Sequence, residues 1–94
     1  MYLKAQTMKA TNSKSAVYNL YLYNDSINSF DRIVNVLSKV LDWSVYQSEQ
    51  CALIAHEKDR TILKRGSYHE LKQQSNLLRK AGITATLEPI ANDI

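Results

Sequence analysis

A chain of 94 residues, 45% apolar and 22% charged, has room for one domain with a modest core and is too apolar for wholesale disorder. Its formal charge of +3 is dispersed, as in Glu57-Lys58-Asp59-Arg60, and lacks the clustered basic face of a nucleic-acid binder; the densest stretches are Lys64-Arg65 and the acid-free Lys4, Lys9 and Lys14. No apolar run reaches the roughly 18 residues of a membrane span, and Met1 to Ala16 lacks the apolar centre of a signal peptide.

Residues 1–16, rich in Lys, Thr, Ser, Asn and Ala without apolar period, are expected to form a flexible tail. Val17 to Tyr23 is dense in β-formers, and alternation turns Tyr18, Leu20 and Leu22 inward and Asn19 and Tyr21 outward. Asn24-Asp25-Ser26 is turn chemistry. Asn28 or Ser29 caps a helix carrying Asp31 in its first turn and Ile33, Val34, Val36, Leu37, Val40 and Leu41 at helical spacing, broken at Asp42-Trp43. Ser44 with Gln47 forms a capping box for a second helix running to about His56. Its inner stripe is Ser48, Cys51, Ala52 and Ala55, small residues that permit close approach or leave a hollow.

Glu57 to Asp59 is expected to be a charged turn, with Asp59 a candidate for a left-handed backbone. Arg60 to Arg65 is a second strand ended by Gly66, and Ser67 with Glu70 is another capping box. Leu71, Leu77, Leu78 and Ala81 supply the apolar side of a third helix, and Gly82 fits the position just past its end. Ile83 to Leu87 alternates, with Ile83, Ala85 and Leu87 inward, and Pro89 closes this third strand; residues 91–94 are expected to be loose. The order βααβαβ predicts an α+β two-layer sandwich, a three-stranded antiparallel sheet covered by three helices, over residues 17–90.

Catalytic machinery is hard to assemble from these residues. The glycines are Gly66 and Gly82 alone, too few for a phosphate loop, and no Cys or His cluster has metal-ligand spacing, so no cofactor or metal and no enzymatic activity are expected. Cys51 and His56 are five residues apart on one helix and diverge, which makes Cys51 a buried core thiol. A lone cysteine also fits a reducing, cytoplasmic setting. On local rules alone Asn24-Asp25-Ser26 is a simple turn, His56 complements a helix C-terminus, and Phe30 is a core aromatic.

The stretch Tyr18-Asn19-Leu20-Tyr21-Leu22-Tyr23-Asn24-Asp25, the helical segment ending Ala55-His56, and the closing Ile83-Thr84-Ala85-Thr86-Leu87-Glu88-Pro89, in this element order, resemble the Clp protease adaptor family, ClpS. The resemblance covers Val17 to about Ile90; a weaker one, of fold, is to the C-terminal domain of the ribosomal stalk protein. It implies an adaptor that binds the N-terminal residue of substrate proteins (an N-degron) and delivers them to the N-terminal domain of a ClpA- or ClpC-type AAA+ unfoldase. It also implies that Asn24, Asp25, Ser26 and His56 meet the substrate amine. Leu22, Asn28, Phe30, Ile33, Ala52, Ala55 and Ile83 would then line a hydrophobic pocket, with Phe30 at its gate. The chemistry is consistent, because an ammonium offers donors only and needs acceptors beside an apolar hole. The family's second acid after the Asn is Ser26 here, a hydroxyl that accepts but carries no charge, and small Ala52 and Ala55 predict a roomy pocket preferring Phe, Trp or Tyr to Leu. The competing reading is a fold-related interaction module without an amine pocket.

Overall fold

The computed structural model describes residues 16–90; the expected tail (but for Ala16) and residues 91–94 lie outside it. The chain folds as β1 (Tyr18–Tyr23), α1 (Phe30–Leu41), α2 (Val45–Lys58), β2 (Arg60–Gly66), α3 (Tyr68–Lys80) and β3 (Ala85–Pro89). The first strand is central: both neighbours pair with it antiparallel, in the order β2-β1-β3. This is the expected α+β sandwich with order βααβαβ.

Each helix starts where its serine allows. Ser29, Ser44 and Ser67 hold extended backbone, and each hydroxyl accepts the N–H three residues on, at 3.1 Å, satisfying a donor the helix leaves unpaired. Of the two candidate caps for α1, Ser29 is the one used. The C-terminal ends are set by backbone hand. Asp42 sits in the left-handed region at φ 58°, and its N–H returns to the Ser38 carbonyl. Asp59 has φ 76° and Gly82 φ 86°.

Leu20 and Leu22 of β1 are sealed under Leu37 of α1, Leu71 and Leu78 of α3, and Ile83. Ser48, Ala52 and Ala55 are the buried stripe of α2, with Cys51 only partly covered. Burial pushes the Cys51 thiol up from its ordinary value, which favours its protonated form. Ser48 is fully buried, and its hydroxyl donates to the Ser44 carbonyl one turn back at 3.0 Å.

Several local expectations shift. The helix expected to end near His56 continues to Lys58, so the turn narrows to Asp59 and the Asn24 N–H closes onto the Asp59 carbonyl at 2.8 Å. The third strand begins at Ala85, not Ile83: the Ile83 N–H is still bonded to the Leu78 carbonyl, finishing α3. Pro89 is the last strand residue, tolerated because β3 is an edge. Leu77 is half exposed rather than inward; Ser75 takes the buried place on that turn. A bulge between Leu20 and Tyr21 leaves Leu63 without a partner on β1 and turns it into the core, while Ile62 beside it stays exposed.

The sheet's other face carries Asn19, Tyr21 and Tyr23. Asn19 was expected outward, yet it is buried: Arg65 Nε donates to its Oδ1 at 3.3 Å and its amide reaches the Tyr21 hydroxyl at 3.4 Å. The Arg60 guanidinium lies 4.3 Å from the Tyr21 ring centroid and 3.8 Å from Glu88. These long side chains cover the sheet that the helices leave open.

Candidate functional site

A cavity of about 310 Å³ opens where the end of β1 meets the first turns of α1 and the last turns of α2. Four elements build its wall. Leu22 and Tyr23 end the strand; Asn24, Asp25, Ser26 and Asn28 form the loop; Phe30 and Ile33 come from α1, and Ala52, Ala55 and His56 from α2. Leu22, Ile33, Ala52 and Ala55 are buried and make an apolar floor, and the small alanines are what leave the volume open. Phe30 is 42% exposed, at the rim rather than in the core. Asn24, Ser26 and His56 are exposed beside it.

The loop is held by one carboxylate and one amide. Asp25 Oδ1 accepts the N–H of Ile27 at 2.9 Å and of Asn28 at 2.7 Å, an Asx turn, while Oδ2 accepts from the Asn28 side chain at 3.0 Å. Slight burial pushes the Asp25 carboxyl up, but the N–H groups and amide of Asn28 and Ile27 outweigh it and hold it below its ordinary value. Asn28 in turn donates to the Gly82 carbonyl at 2.8 Å and accepts from Arg32 Nε at 2.9 Å. Arg32 also donates to the Ala81 carbonyl. The loop is thereby fastened to the turn between α3 and β3.

This geometry separates residues that sequence reasoning treated alike. Asp25 reaches the cavity wall, but its oxygens are occupied by its own loop, so it lends negative charge more than a free acceptor. Asn28 has both ends of its amide engaged and serves as a strut. Ile83 does not line the cavity: it is 2% exposed within the core, where the end of α3 carries it. Tyr23 does line it, although strand alternation assigns it to the opposite face. Strand alternation turns its ring to the open face, where its hydroxyl donates to Glu88 Oε2 at 3.0 Å, so alternation alone conceals the contact. The Asx-turn spacing from Asp25 to Asn28 was a readable signal for the locked loop.

Among the described residues no three His, Cys, Asp or Glu gather as a metal site, and no helix is long and apolar enough to cross a membrane. What remains at the cavity is a set of exposed acceptors (the Asn24 amide, the Ser26 hydroxyl and the His56 imidazole) beside an apolar hollow. Its volume is at the small end of the roughly 300–1,000 Å³ usual for ligand sites, suited to a single side chain.

Comparison with known proteins gives the family and the fold. A family model described as ATP-dependent Clp protease adaptor protein ClpS matches residues 13–88. A search of curated proteins returned no match. Among solved structures, ClpS2 of Agrobacterium tumefaciens bound to L-phenylalaninamide is similar with a TM-score of 0.67 at 21% identity, over 80% of this chain and 98% of that one. That likeness extends the match to the fold.

Proposed function

The chain belongs to the Clp protease adaptor family, ClpS, and from that premise we propose that it recognises the N-terminal residue of substrate proteins and hands them to a Clp AAA+ unfoldase in the cytoplasm. One observation carries the reading: acceptors and an apolar hollow of one-residue size share a single cavity at the end of β1. The similar Agrobacterium protein holds L-phenylalaninamide, a ligand with a free α-amine and a benzyl side chain. That is the pair of groups this cavity could serve.

In this reading Asn24 Oδ1, the Ser26 hydroxyl and an imidazole nitrogen of His56 accept from the ammonium. Asp25 adds field without a direct bond. The side chain enters between Ile33 and the alanines, under Phe30. Burying a Phe side chain contributes roughly 1.5–3 kcal/mol, and each hydrogen bond to the charged amine about 1.5–3 kcal/mol. A micromolar complex, about 8 kcal/mol, is reachable with these contacts but leaves little margin once the cost of association is counted. With Ser26 in place of an acid, amine recognition is weaker than with a facing carboxylate, by roughly fivefold once the exposure of this rim position is counted. The space left by Ala52 and Ala55 favours Phe, Trp or Tyr over Leu. Docking on the N-terminal domain of a ClpA- or ClpC-type unfoldase, with residues 1–16 engaged during delivery, completes the proposed cycle.

Titration of a Phe-initiated peptide against the same peptide acetylated at its amine tests the reading. Clear loss of binding on acetylation is expected. Equal binding of both, or no dependence on residue one, would leave a family member that uses its fold for another interaction.

A further inference from the structure

A second cavity, of about 340 Å³, lies between α3 and the edge strand β3 and shares no lining residue with the first. Its helix wall is Lys72, Ser75, Asn76 and Arg79, three and four residues apart and so on one face. Tyr68 closes one end, and Thr86 and Leu87 form the strand wall. No acidic side chain is among its lining residues. The nearby Glu88 carboxylate is occupied, accepting from Tyr23 and Thr86 and pairing with Arg60.

The polar groups of this cavity are unbalanced toward donors. Ser75 is 1% exposed, yet its hydroxyl has no hydrogen-bond partner. Ser48, the other buried serine inside a helix, shows the ordinary solution, donating to the carbonyl one turn back. Ser75 does not take it and is left as a buried hydroxyl at the cavity wall, free to donate. Asn76 Oδ1 is taken by Arg79, at 2.9 Å, which leaves its NH₂ to donate. Lys72 Nζ rests 5.6 Å from the centroid of the Tyr68 ring. Two turns of helix set Lys72 and Arg79 about 10 Å apart along the axis, within reach of a common centre for side chains of their length.

The geometry points to an oxyanion-binding site of the phosphate class between α3 and β3, in which Ser75 and Asn76 donate at the centre and Lys72 and Arg79 close from either end. Two cations, two further groups able to donate and no acid among the lining residues are what a tetrahedral oxyanion needs. The ligand is a free phosphate or the phosphoryl group of a phosphorylated side chain, which share this chemistry. The site is separate from the amine cavity and does not depend on it.

The test is a titration of the full chain with inorganic phosphate, and separately with phosphoserine, followed by ¹H–¹⁵N NMR at constant ionic strength with chloride as control. Saturable shifts confined to the amides around Ser75, Asn76, Arg79 and Thr86 are expected, at a Kd on the order of 1 mM. Lys72→Gln with Arg79→Gln should weaken binding by at least about tenfold. Ser75→Ala should weaken it too, while leaving the unfolding midpoint without phosphate unchanged or higher, since its hydroxyl makes no bond to lose. Tighter binding of phosphoserine than of phosphate assigns the site to phosphorylated side chains; equal binding assigns it to the free anion; both support it. Shifts that rise linearly without saturation, or that persist in the double variant, overturn it and leave Ser75 a hydroxyl satisfied by water.

Discussion

Replacing Ser26 with Asp puts a carboxylate on the rim that Ser26 shares with Asn24 and His56. If the cavity receives an α-ammonium, this is the substitution that adds what the loop lacks, because the neighbouring Asp25 has spent its oxygens on Ile27 and Asn28. A fully effective hydrogen bond to the charged amine would add about 1.5–3 kcal/mol. Ser26 is exposed, however, and an exposed ion pair contributes about 0–1 kcal/mol. Asp25, held ionised, also repels a second carboxylate beside it. The net expectation is a gain of about 1 kcal/mol, roughly fivefold in Kd. Calorimetric titration of L-phenylalaninamide into S26D and the parent protein measures it, and a repeat in 0.5 M salt should shrink the gain by screening. An unchanged Kd, or the same gain for N-acetylphenylalaninamide, would refute the amine assignment.

Asp25 sits below its ordinary value in the fold, so it stabilises the protein at pH values above the normal carboxylate range and that stabilisation is lost as pH falls through its folded value, below about pH 4. D25N should therefore flatten the acid limb of the unfolding midpoint against pH; an unaltered limb would show that the loop bonds do not form. Filling the hollow with A55L, at a residue 2% exposed, should lower affinity for Phe-initiated peptides by at least about tenfold relative to Ala-initiated ones, read by fluorescence anisotropy. N28A removes the strut to Gly82 and Arg32 and should cost about 1–3 kcal/mol in urea unfolding, with amine affinity falling as the loop loosens. G82A, where a Cβ meets nothing within 4 Å but φ is +86°, should cost about 1–2 kcal/mol from backbone hand alone.

What can be read within a few residues was open to inspection in the chain itself. Ser29, Ser44 and Ser67 start helices because a serine hydroxyl reaches the N–H three positions on, whatever the rest of the protein does. The periodic Ile33, Val34, Leu37 and Leu41 predict their own burial for the same reason of short range. Asn19, Leu77 and Ile83 defeat such reading. Asn19 is buried by Arg65, 46 residues away. Leu77 loses the inner face to a serine, and Ile83 is claimed by the last turn of α3 before the strand begins.

The elements, their order and the small side chains Ala52 and Ala55 that leave a hollow are all legible along the chain. Folding alone brought Asp25 onto its own loop, pinned Asn28 to Gly82 54 residues on, and set an unpartnered Ser75 between Lys72 and Arg79 opposite β3. The reason is physical. Caps, turns and helical stripes are settled by neighbours along the chain, whereas the partner of a polar side chain is settled by whichever groups folding brings within 3 Å, and that distance is not written in any local pattern.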